Sequence, residues 1–277
     1  MRTNGSGAVR DVAASAVHRG HKMRAGRPRS QGKEAWVAGV DGCRAGWIAV
    51  LRHVESGTWR FHFALRLAEV VDAEEQPSIV AIDMPTGFAD CAEHGGRPCE
   101  RDARGLLVGK TSSVFPTPCR GALEATTHAD ASAINRRSGP NGVGLTRQAF
   151  HLFPKMRELD ALLRSRPALV ERVFEAHPEL AFMRMNDSQP ALAPKRTAEG
   201  QRLRQQLLAR HGFGAAAKAW TAYRQETGLR ATAAGIDDAL DAAAVCRTAL
   251  LIQGGDATRL PGTIGRDRFG LPMAIWY

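Results

Sequence analysis

The chain has 277 residues, of which 44% are hydrophobic, and a formal net charge of +10. That length holds one large domain or two small ones with a sizeable core. No apolar run approaches the roughly 20 residues of a membrane helix, so a soluble globular protein is expected and a membrane one is not.

Charge is concentrated at the start. Residues 1–34 carry eight Lys or Arg against Asp11 and Glu34, a surplus of six that leaves +4 for the rest. Rich in Gly, Ser and Ala and without hydrophobic periodicity, this segment reads as a disordered basic arm, either a nucleic-acid tether or a passive extension. Five cysteines, Cys43, Cys91, Cys99, Cys119 and Cys246, are odd in number and irregularly spaced, with no secretory signal before them. They point to free thiols in a reducing, cytoplasmic compartment. The set Cys91, His94, Cys99 and Cys119 matches no paired zinc knuckle.

Beyond the arm, residues 35–277 read as one α/β domain. Val37 to Asp41, Trp47 to Arg52 and Trp59 to Leu65 are three strands joined by hairpin turns. A short helix over Leu67 to Ala73 leads to a strand ending at Asp83, a connection that suits a right-handed crossover to a parallel partner of the first strand. Arg172 to His177 is a fifth strand, Ile236 to Ile252 a strongly apolar helix, and Leu271 to Tyr277 a closing strand. The expected sheet is mixed, three antiparallel strands plus parallel ones. Insertions at about 86–170 and 185–235 are too long to be structureless. Helices are expected at Arg101 to Val108, at Leu145 to Arg164 with a kink at Pro154, and near Arg196 to His211, forming a helical lobe over the carboxyl edge of the sheet.

The chemistry sits in four acids. Trp36 to Asp41 and Ile79 to Asp83 are brief apolar runs that each end in an acid and then a turn former. Asp41 and Asp83 therefore fall at the carboxyl ends of buried strands, where open α/β sheets place ligands. Asp238 and Asp241, spaced i and i+3, share one helix face, although Asp is also common at helix starts. If the four converge, their mutual repulsion calls for a cation, and oxygen donors select Mg²⁺ or Mn²⁺. Two such ions about 4 Å apart would activate water and stabilise the leaving oxygen of a phosphodiester. Glu175 is a further candidate acid, or else a strand-end residue before Pro178. Arg97, Arg101, Arg104, Lys155 and Lys195 are candidate contacts to a phosphate backbone, the arginines at helical spacing being equally suited to surface salt bridges.

Seven blocks carry a family resemblance from Gly39 to Tyr277. They are Gly-Val-Asp-Gly-Cys-Arg-Ala-Gly-Trp at 39–47, Ala-Ile-Asp-Met-Pro at 81–85, Arg-Pro-Cys-Glu-Arg-Asp-Ala-Arg at 97–104, Ser-Ser-Val-Phe-Pro at 112–116, Pro-Lys-Met-Arg-Glu at 154–158, Glu-Ala-His-Pro-Glu at 175–179 and Asp-Asp-Ala-Leu-Asp-Ala at 237–242. In these the chain resembles the bacterial and archaeal family named as domain of unknown function DUF429, described as predicted nucleases of ribonuclease H-like fold. The run Asp238 to Ala242 is also similar to the metal-binding helix of Holliday-junction resolvases. The resemblance implies a metal-dependent phosphodiester hydrolase acting on nucleic acid or a nucleotide phosphate. Two other readings share the fold: a nucleotide-binding or phosphoryl-transfer protein of actin-like or sugar-kinase type, and a non-catalytic module stabilised by metal.

Overall fold

The computed structural model describes residues 35–191 and 193–277, so the basic arm expected at 1–34 lies outside them. Strands β1 (Trp36–Gly42), β2 (Trp47–His53) and β3 (Trp59–Ala64) form an antiparallel meander. Helix α1 (Leu67–Val71) then crosses to β4 (Ile79–Ile82), which runs parallel to β1. Next come α2 (Pro98–Leu106), α3 (His128–Arg137), α4 (Arg147–His151) and α5 (Phe153–Ser165). Strand β5 (Val173–Glu175) pairs parallel with β4. The chain continues through α6 (Pro178–Met185), α7 (Ala198–Arg210), α8 (Ala216–Thr227) and α9 (Ile236–Gly254) to the hairpin β6 (Arg259–Arg266) and β7 (Pro272–Trp276).

The main sheet has the order β3-β2-β1-β4-β5, an α/β arrangement that agrees with the ribonuclease H-like expectation. Strand alternation splits its residues between two cores. Ala38, Val40, Val80 and Ile82 pack with Phe153, Met156 and Leu159 of α5. Val37, Ile79 and Ala81 pack with Ala242, Val245 and Cys246 of α9 and with Leu207 and Trp220 behind it. The long insertion therefore supplies one covering layer of the sheet and α7 and α8 thicken the other, rather than standing only as a lobe over its edge.

Two expectations are corrected in detail, and one strand had none. Pro154 does not kink one long helix: α4 ends at His151, and Pro154 lies in the first turn of α5, where its missing N–H costs no hydrogen bond. The closing strand near the C-terminus, β7, joins β6 in a separate two-stranded sheet and meets the main one through a parallel bridge from Trp276 to Ala176 and through the Trp276 ring, which packs on Phe174 of β5. Strand β6 itself, Arg-Leu-Pro-Gly-Thr-Ile-Gly-Arg, has no alternation to announce it. No helix among the described residues is long and apolar enough to cross a membrane.

Candidate functional site

Asp41 closes β1 on the same side as Val37 and Gly39, the side that faces α9. Asp83 follows β4 directly, and its backbone N–H donates to Val40 O at 2.9 Å, which locks the two strand ends together. Helix α9 presses against β1 so closely that a Cβ on Gly39 would lie 2.1 Å from Cys246 N and 2.4 Å from Ala242 O. This contact brings Asp241, buried one turn into α9, to the two strand ends.

The acids feel one another. Burial raises the Asp41 carboxyl well above its ordinary value, and Asp83, Asp241 and Asp238 raise it further against the pull of Lys195. Asp83 is pushed up to about 7 by burial, with Lys195 opposing and Glu175 and Glu179 adding to it. Asp241 is raised to about 6 by burial, again opposed by Lys195. Asp238 is also raised by burial, but its Oδ2 accepts from Gly235 N at 2.8 Å, so it serves the start of α9 as well as standing near Asp41.

Two lysines border the cluster. Lys195 Nζ donates to Asp241 Oδ2 at 2.6 Å; burial pulls its ammonium down, but Asp241, Asp41 and Asp83 outweigh this and raise it. Lys155 Nζ donates to Gly46 O at 2.5 Å and lies 4.5 Å from the centre of the Trp47 ring. Its stem passes where a Cβ on Gly42 would come within 2.6 Å of Lys155 Cδ, so a side chain at position 42 would have to displace that lysine.

Glu175 belongs to a different set. The register pairs it with Ile82, and paired residues share a face, so it leaves β5 on the face opposite to α9. There Arg97 Nη1 and Nη2 donate to its two oxygens at 3.0 and 2.5 Å, and Thr86 N adds a third hydrogen bond. Arg97 also holds Glu100 at 2.7 Å and Gly87 O at 2.8 Å. Arg97, expected to meet phosphate, is buried and committed to these partners. Arg101 pairs with Glu93 and Gly96 O on the surface, and Arg104 donates to Val114 O. Of the five basic candidates, Lys155 and Lys195 therefore stand at the acids, Arg97 lies beside them as a structural cation, and Arg101 and Arg104 are turned to local contacts.

The two sets meet in a cleft of about 90 Å³ lined by Asp41, Gly42, Asp83, Arg97, Glu175 and His177, among others. His177 Nε2 faces Ser113 O at 3.2 Å, and burial lowers its ring below the usual imidazole range. Sequence reading missed Glu179, a buried acid that acts on Asp83 and Asp241 while paired at 2.6 Å with Arg204. Its position in the first turn of α6 looks like ordinary helix-dipole chemistry, which hides any other role.

Among the described residues, the group of three metal-binding side chains whose ligand atoms lie within 4.8 Å of one another is Cys99, Glu100 and Glu175. Arg97 already pairs with both of those carboxylates, and burial pushes the Cys99 thiol up to about 12. The oxygens of Asp41, Asp83 and Asp241 do not all lie within that distance, and Lys195 is hydrogen-bonded to Asp241 among them. Their all-oxygen donor set fits a hard divalent cation, and no hydrogen bond from the described residues reaches the Asp83 carboxylate. A search of curated proteins and a search of solved structures each find no match. The family model described as protein of unknown function (DUF429) matches residues 39–265, which include the Asp41 end of β1, all of β4 and α9 and all four aspartates, and the chain belongs to that family.

Proposed function

We propose that the chain is a metal-dependent phosphodiester hydrolase, a nuclease in the simplest case, in which Asp41, Asp83 and Asp241 hold Mg²⁺ or Mn²⁺. The observation that carries this reading is their convergence from two strand ends and one helix into a mutually repelling cluster in which Asp41 and Asp241 are buried and Asp83 half-buried. Buried like charges are costly, and a fold that gathers them needs positive charge to offset them. When bound, a divalent cation supplies Lewis-acid activation of water and stabilisation of the leaving oxygen.

The protein's own groups set the geometry. Gly42 N donates to Asp41 Oδ1 at 2.8 Å and fixes that carboxylate, leaving its other oxygen for the ion. The cleft of about 90 Å³ holds an ion and a few waters, not a base and sugar. A phosphodiester would lie across its mouth, on the side where the Lys155 stem passes Gly42 of the cleft wall. Contacts of lysine with phosphate give affinity without reading sequence, which favours a polymer or a simple phosphodiester over a tightly enclosed nucleotide.

The test is a panel of single- and double-stranded DNA and RNA, with bis(p-nitrophenyl) phosphate, in Mg²⁺ or Mn²⁺. Wild type should cleave at least one of these and lose activity in chelator. Asp83→Asn should fall by roughly 10²-fold or more, the scale of losing one electrostatic contact in the transition state. Cleavage undiminished in Asp83→Asn refutes the site; metal binding with no cleavage of any member identifies a non-catalytic module.

A further inference from the structure

We infer that Lys195 takes the place of a second cation, so that the aspartate cluster holds one divalent ion and not two. This rests on the proposed function and specifies its metal content. Lys195 Nζ lies 2.6 Å from Asp241 Oδ2, the distance of a full ion pair, and it also acts on Asp41 and Asp83. Asp41, Asp83 and Asp241 bring three negative charges. The ammonium removes one and a single divalent ion removes the others, whereas a second such ion would leave a surplus of two positive charges at the cluster. Asp238, which also acts on Asp41, adds a fourth negative charge, and Lys155, the other lysine at the cluster, interacts with it and offsets it, so the balance is the same.

The segment that carries Lys195 is built into place rather than draped over the acids. Ala193 O accepts from Arg204 Nη1 at 3.0 Å and from Lys110 Nζ at 3.3 Å. Arg204, 1% exposed, is itself fixed by Glu179 at 2.6 Å. Thr197 N and Oγ1 both donate to Pro194 O, and a Cβ on Gly200 would sit 2.0 Å from that same oxygen. The chain thus docks Pro194 directly on the first turn of α7 and keeps a glycine there to allow it. A lysine serving only as a mobile surface contact would need none of this support.

The test counts Mn²⁺ bound to the metal-free full chain by equilibrium dialysis and by the electron paramagnetic resonance signal, in which neighbouring ions couple. Wild type should bind one ion per chain, Lys195→Met two, and Lys195→Arg one. The wild-type count needs no variant, and Lys195→Gln replaces Lys195→Met if the latter does not give a cooperative thermal transition. Two ions in wild type, or one in both wild type and the neutral variants, overturns the role of Lys195 while leaving the metal site standing. No binding in any variant at millimolar Mn²⁺ overturns both this inference and the functional reading beneath it.

Discussion

Asp83 and Asp241, held at about 7 and about 6, should make the metal-free protein sensitive to pH in a defined direction. In the unfolded chain both carboxyls titrate near about 3.9. Between about pH 4 and pH 7 the native state therefore binds more protons than the unfolded one, and stability falls as pH rises through that window. The penalty is absent below about pH 4 and complete above about pH 7. Metal reverses the trend, because protons compete with it for the same oxygens. Differential scanning calorimetry should show the thermal midpoint of metal-free wild type dropping more steeply from pH 5 to 7.5 than that of Asp83→Asn. Added Mn²⁺ should raise the midpoint more at pH 8 than at pH 5, on the scale of about 2.7 kcal/mol at one hundred times Kd. Equal slopes in wild type and Asp83→Asn would mean that Asp83 is ionised like any surface acid.

The approach of β1 to α9 is the element-level contact on which the cluster depends. Gly39→Ala would drive a methyl into the backbone of Ala242 and Cys246. Overpacking of this kind costs about 1–3 kcal/mol and more where backbone must yield, and it would also move Asp241 away from Asp41. Gly105, exposed in α2 with nothing within 4 Å of its added Cβ, is the matching control. There Ala should stabilise by about 0.5–1 kcal/mol. Urea midpoints measure both, and equal tolerance at the two positions would contradict the packing. The elements that frame the acids were readable in the sequence because each has a local signature: β1 and β4 are apolar runs stopped by an acid and a turn former, and α9 is long and apolar. Strand β6 was not, since its Pro261, Gly262 and Gly265 deny it any period and pairing with β7 makes it a strand. Strand ends and helix spacing offered the convergence of Asp41, Asp83 and Asp241 only as a condition, because the packing of α9 on β1 that sets their approach is a tertiary fact. The commitment of Arg97 to Glu175 was not legible, because the register that turns Glu175 to the opposite face is also a tertiary fact. Likewise Lys195 meets Asp241 across 46 positions, a contact that no local spacing encodes.

At the scale of the molecule, one buried network ties the C-terminal hairpin, the long insertion and the loop behind Asp83 into a unit. Asp267, just past β6, accepts Phe88 N at 3.1 Å through Oδ2, and Phe269 N and Leu271 N at 2.9 and 3.0 Å through Oδ1. Arg120 bridges Asp267 to Asp160 of α5, the latter at 2.9 Å. Thr86 Oγ1 donates to Pro272 O at 2.8 Å, and a Cβ on Gly87 would come within 2.7 Å of that oxygen. The stretch from Met84 to Ala89 is thus clamped by the hairpin on one side while Asp83, its immediate neighbour, faces the acids on the other. Asp267→Ala removes one carboxylate of a buried triad and leaves Phe88 N and the Arg120 guanidinium without it, a loss of about 3–5 kcal/mol for a broken buried pair. Because the same clamp sets the position of Asp83 from behind, Mn²⁺ affinity should fall with it, by roughly 10–100-fold as for other supports of metal ligands. Urea unfolding and Mn²⁺ titration of the folded fraction separate the two effects. A variant within about 1 kcal/mol of wild type, binding Mn²⁺ equally well, would show that the hairpin is an appendage. Loss of affinity in a variant still folded at the assay temperature would show that the hairpin, remote in sequence from the first aspartates, helps to hold the site in shape.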